Sequence, residues 1–83
     1  MRRIEVKGRS GYNMPVALTP NEWLQAGRHT DSYWLYVVWG AGMGQTPQLL
    51  KIQNPAAQLA ARSQAIVKHY LLPADALAAV AED

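Results

Sequence analysis

The chain has 83 residues, no cysteine and a formal charge of +2. That length makes one small domain, able to bury only about 60–65% of its unfolded surface. The missing cysteines exclude a disulfide framework and a thiolate metal site. With 49% hydrophobic residues, three Trp, four Tyr and no Phe, the composition is that of a globular domain rather than a disordered tail. The longest apolar run, "YWLYVVW" at 33–39, falls far short of the roughly 18–20 residues that cross a bilayer. No apolar segment follows the basic start "MRRIEVKG", so it is no signal peptide. These features imply a soluble, cytoplasmic protein.

Ile4, Val6 and Gly8 alternate with Glu5, Lys7 and Arg9. Period two predicts a first strand with its apolar side inward and its charges on the solvent side. "GRSGYN" breaks the pattern at a turn, and Val16 and Leu18 begin a short second strand. In "TPNEW", Thr19 suits an N-cap, Pro20 the first helical position and Glu22 the third, which completes a capping box. Trp23, Leu24 and Ala26 would be its apolar surface, and Gly27 suggests a brief helix.

"YWLYVVW" reads as a central strand covered on both faces. "GAGMGQTP" connects it to a strand through Leu49, Leu50 and Ile52, antiparallel to the one before. Asn54-Pro55 opens a second helix, "PAAQLAARS". "AIVKHYLL" at 65–72 suits a strand or a helix, and "PADALAAVAED" a closing helix whose Glu82 and Asp83 oppose its dipole. The fold class is α/β, more narrowly α+β: a small mixed β-sheet flanked by short helices.

The charge is uneven. Residues 1–9 hold Arg2, Arg3, Lys7 and Arg9 against one acid, Glu5, whereas the last nine residues hold three acids and no base. A basic front can attract a phosphate backbone, or be a solvated strand end. Residues two apart on a strand share a face, so Glu5 and Lys7 occupy one small region. A carboxylate there can ligate a hard cation, and an ammonium can offset charge at a reacting phosphate. The pattern is also common on solvated strands.

The pieces "IEVKG", "LTPNEW" and "IQNPA", with "YWLYVVWG" between them, resemble the domain family of unknown function named for the C-terminal region of the plant protein NO VEIN. In bacteria that family occurs at the ends of helicase-like and defence-associated proteins. It is in turn similar to the PD-(D/E)XK nuclease superfamily. There one strand carries an acid, the next carries (D/E)-x-K, and a helix and further strands follow.

The resemblance implies Glu5 as a metal ligand, Lys7 as the catalytic lysine beside it, and Mg²⁺ as cofactor. DNA would be the partner, held by Arg3, Arg9 and Arg28. The first acid of the pattern belongs on a strand before "IEVKG", where only Met1-Arg2-Arg3 stand. The expectation is thus a restriction-endonuclease-like core lacking its first strands, not catalytic as this chain alone. The alternative is a non-catalytic nucleic-acid-binding or protein-interaction module.

Glu22 is a candidate replacement ligand, although the cap accounts for it. Asp31 reads as a solvated loop acid, and His29 and His69 as isolated histidines. "GAGMG" lacks the following helix that phosphate loops need. Trp34, Tyr36 and Trp39 read as core more readily than as a base-stacking platform beside Arg28. An exposed edge on the first strand would favour a homodimer.

Overall fold

A computed structural model describes residues 1–42, 44, 46–60, 62, 64–66 and 69–82, without the side chains of 64–66 and 69. The order is β1 (Arg3–Arg9), β2 (Val16–Leu18), α1 (Pro20–His29), a 3-10 turn (Thr30–Ser32), β3 (Tyr33–Trp39) and β4 (Gln48–Gln53). It continues with α2 (Pro55–Leu59), β5 (Gln64–Ile66), β6 (His69–Leu72) and α3 (Ala74–Val80). The α+β class is the one the sequence implies.

The strands divide into two three-stranded sheets, ordered β1-β3-β4 and β2-β6-β5. In the first, β1 runs parallel to β3 and β4 antiparallel to it. A parallel pair needs a crossover, and α1 lies in the connection between β1 and β3. One core joins both sheets: Leu35, Val37 and Trp39 of β3, Leu50 and Ile52 of β4, Val16, Leu18 and Leu72 of the second sheet, and Leu59 and Leu77 of α2 and α3. The aromatic run is therefore a central strand. Its odd-numbered residues are buried, while Tyr36 and Val38 on the other side are only half-buried.

Several local expectations change. Gly27 lies inside α1, where a glycine costs only about 1 kcal/mol relative to alanine. The helix stops three residues later at Thr30, which takes the left-handed φ of 46°. Leu24 points outward at 58% exposure, and α1 buries Ala26 and half-buries Trp23, which stacks on Tyr70 of β6 at 5.1 Å. The second helix is shorter than "PAAQLAARS"; residues 61 and 63 of that stretch lie outside the described ones. "AIVKHYLL" contributes two antiparallel strands rather than one element, with residues 67 and 68 outside the described ones.

The main correction concerns β1. Its register sets Glu5 beside Leu35 and Lys7 beside Val37, and sets Ile4 and Val6 beside Trp34 and Tyr36. Neighbouring partners in a sheet share a face, and the odd residues of β3 point into the core. Glu5 and Lys7 therefore face the interior, at 30% and 25% side-chain exposure. Ile4 and Val6 face out, at 48% and 58%. Burial of β3 fixes the face that β1 must present, and the alternation within β1 does not override it.

Candidate functional site

The inward charges of β1 meet the start of α1. Thr19 caps that helix: its Oγ1 accepts from the Glu22 N–H at 3.1 Å, and Glu22 Oε1 accepts from the Thr19 N–H at 2.8 Å. This reciprocal box fixes the Glu22 carboxylate above the β1 face. Lys7 Nζ donates to both its oxygens, at 2.9 and 3.1 Å, and lies 3.7 Å from Glu5 Oε2. The side chain of Glu22 is 21% exposed. One carboxylate therefore serves both as helix cap and as lysine partner: the cap expected at Glu22 forms, and the same side chain is held beside Glu5 and Lys7.

The cluster borders a cleft of about 220 Å³ lined by Arg3, Ile4, Glu5, Asn21, Glu22, Gln25 and Tyr33. Desolvation, then the contact with Glu22, pushes the Glu5 carboxyl above the usual glutamate value, against the pull of Lys7. Glu22 suffers desolvation too, but the Thr19 N–H, Lys7 and the Glu5 contact together hold its carboxyl below the usual value. Burial, reinforced by Glu5 and Glu22, raises the Tyr33 phenol to about 12. The two carboxylates are in contact and their proton affinities are driven apart, that of Glu5 upward and that of Glu22 downward.

Two carboxylates are a sparse set of ligands for a metal. Among the described residues no group of three or more His, Cys, Asp or Glu side chains converges. A hard cation such as Mg²⁺ can be held by one or two carboxylates when substrate phosphate and water supply the remaining oxygens. Glu5 and Glu22 therefore fit Mg²⁺ in company with a phosphate and do not amount to a closed protein cage. Their lysine already neutralises one of the two charges.

The other candidates scatter. Arg3 lines the cleft, and the His29 imidazole, at the end of α1, is held below its usual proton affinity by desolvation and by the fields of Arg3 and Arg28. Both arginines thus act on His29, but Arg28 is not among the residues that line the cleft, and Arg9 ends β1 in solvent. His29 Nε2 sits 3.1 Å from Gln25 Oε1, and the His69 side chain lies outside the described ones. Asp31 is exposed but not merely solvated, since its Oδ1 accepts from Asn54 Nδ2 at 3.2 Å.

Trp39 is buried, its Nε1 donating to the Met14 carbonyl at 2.8 Å. Trp34 lies beneath Arg2 rather than Arg28, the guanidinium 4.2 Å from the ring centroid and donating to Tyr36 Oη at 3.0 Å. The "GAGMG" stretch lies in the β3–β4 hairpin connection, with Met43 and Gln45 outside the described residues. Gly40 there has a φ of 72° and stands so close to Tyr12 that a Cβ would meet its ring.

Sheet and cluster together define an α+β domain built around a Glu-x-Lys strand, with a glutamate from the crossover helix closing over it. Residues 1–52 match the family model described as Protein NO VEIN, C-terminal. That is more than half of the chain, which belongs to this family. The match runs from β1 to Ile52 of β4 and so includes Glu5, Lys7, Glu22 and nearly all of the first sheet. It ends inside "IQNPA", short of the extent the sequence resemblance suggested. No curated protein and no solved structure matches the chain. No helix among the described residues is long and apolar enough to cross a membrane.

Proposed function

We propose that this chain is a nuclease-like domain of the PD-(D/E)XK kind, corresponding to the part of such a module from its Glu-x-Lys strand onward. It binds nucleic acid beside helicase or DNA-defence machinery and does not cut as an isolated chain. The observation that carries this reading is the ion-pair cluster of Lys7 with Glu22 and Glu5, on a strand whose parallel partner follows a crossover helix. Glu5 and Glu22 would hold Mg²⁺, which when bound supplies Lewis-acid charge stabilisation to a phosphodiester. Lys7 positions the two carboxylates and offsets charge beside them, and Arg3 on the cleft and Arg28 near the end of α1 hold the phosphate backbone.

The same contacts support a role without cutting. Lys7 Nζ donates to both oxygens of Glu22 at 2.9 and 3.1 Å, a pairing that competes with the orientation of a reacting water. No third acid joins the cluster among the described residues. The test incubates supercoiled and single-stranded DNA with Mg²⁺ or Mn²⁺ and either the wild-type chain or the Glu5→Ala, Lys7→Ala double variant. Neither should cleave above background. Cleavage by the wild type that the double variant loses would overturn the non-catalytic half of the reading. Binding to the same DNA should fall steeply with added salt and weaken in Arg3→Ala and Arg28→Ala.

One observation favours a second reading, a protein-interaction module without a nucleic-acid role. Ile4, Val6 and Leu49 stand exposed on one face of the first sheet. No DNA binding even at low salt would select it.

A further inference from the structure

The two edges of the first sheet are unlike. Beside β4, the Glu82 N–H donates to the Lys51 carbonyl at 2.7 Å, a bridge that partly covers that edge. Along β1, seven residues long, no strand pairs with the outer side among the described residues. An unpaired edge of this length is a template for a further strand. Its outward-facing Val6 is more exposed than Ile4 or Leu49 on the same sheet face.

We infer that the partner of this edge is a second copy of the chain, with the two β1 strands antiparallel and Val6 on the two-fold axis. Antiparallel pairing sets residues directly opposite on one face, and β1 is self-complementary about Val6. Val6 meets Val6 of the second copy and Ile4 meets Gly8 on the open face. On the inward face Glu5 of each copy meets Lys7 of the other.

Other registers do worse. Centring on Glu5 sets Glu5 against Glu5 and Arg3 against Lys7. Centring on Lys7 sets two lysines together. Centring on Ile4 pairs Glu5 with Arg3 but engages only Arg3–Glu5 of each strand, whereas centring on Val6 engages all seven residues. A register shifted by one residue sets apolar side chains on the charged face. The cost of the Val6 register is Arg3 opposite Arg9 at both ends, where long side chains can splay into water. Strand-edge cations usually resist pairing; here an acid of the second copy answers the central one.

This inference does not rest on the proposed function: it is argued from the unpaired edge of β1 and the self-complementary order of its side chains, Glu5 and Lys7 included, and not from metal or DNA binding. The chain contains no cysteine, so single cysteines report the register cleanly. Sedimentation of the wild-type chain at high concentration should give twice the monomer mass. Val6→Lys should give the monomer mass with unchanged circular dichroism. Under mild oxidation Val6→Cys should form a disulfide-linked dimer, and Ile4→Cys should not, since Ile4 faces Gly8. A wild-type monomer overturns the pairing, and cross-linking by Ile4→Cys in preference to Val6→Cys overturns the register.

Discussion

One strand, β1, shows two sides that follow different rules. On its inward side Glu5 and Lys7 lie beside the buried Leu35 and Val37 and are answered by Glu22. On its outward side Ile4 and Val6 are about half exposed beside Trp34 and Tyr36. Charge lies toward the core and aliphatic carbon toward water, the reverse of a strand at the surface of a one-sided sheet. The inward charges are tolerable because each has a partner, and none of the buried side-chain polar atoms described is left without a hydrogen bond. The outward aliphatics have no such compensation among the described residues. That contrast makes the inner side a candidate chemical site and the outer side a candidate interface.

The sharpest way to break the comparison is to truncate each side in turn. Leu35→Ala, from a fully buried position on the inward face, should cost about 2–5 kcal/mol. Val6→Ala, measured on dilute monomer, should stay within about 0.5 kcal/mol. Chemical denaturation reads both, and comparable losses would mean that the outer face is covered.

A smaller effect is expected at the helix start. Glu22→Ala removes half of the capping box and the Lys7 partner together, and should lower stability by about 1–2 kcal/mol. Lys7→Met should add little further loss in the double variant, because the pair has one interaction to lose.

The smallest effect has the opposite sign. Glu5→Gln relieves the carboxylate contact and should raise the melting temperature at neutral pH, by no more than about 1 kcal/mol of stability. A carboxyl whose folded affinity for protons is raised destabilises the fold once ionised, so Glu5 costs stability as pH rises through its elevated value. Glu22, shifted down, adds stability above its unfolded value that is lost as pH falls through its folded one. Wild type and Glu5→Gln should therefore converge in acid and separate toward neutrality.

Much of this was legible in the chain itself. The capping box from Thr19 to Glu22, the Asn54-Pro55 helix start and the central aromatic strand all rest on local rules, and all three form. The orientation of β1 was not legible, since alternation specifies two faces without saying which turns inward. That choice is made by β3, a strand more than twenty residues away. The convergence of Glu22 on Lys7 was equally hidden, because a cap and an ion pair make the same demand of the sequence at position 22. Only the crossover that brings α1 over β1 separates them, and here both hold.

The most direct test is a carboxyl-detected NMR titration of Glu5 and Glu22 in the wild-type chain and in Lys7→Met. The inward cluster requires Glu5 to titrate above the ordinary glutamate value and Glu22 below it, and both to move upward when the ammonium is removed. Two ordinary titrations, indifferent to Lys7, would show that these side chains face water separately and would contradict the account.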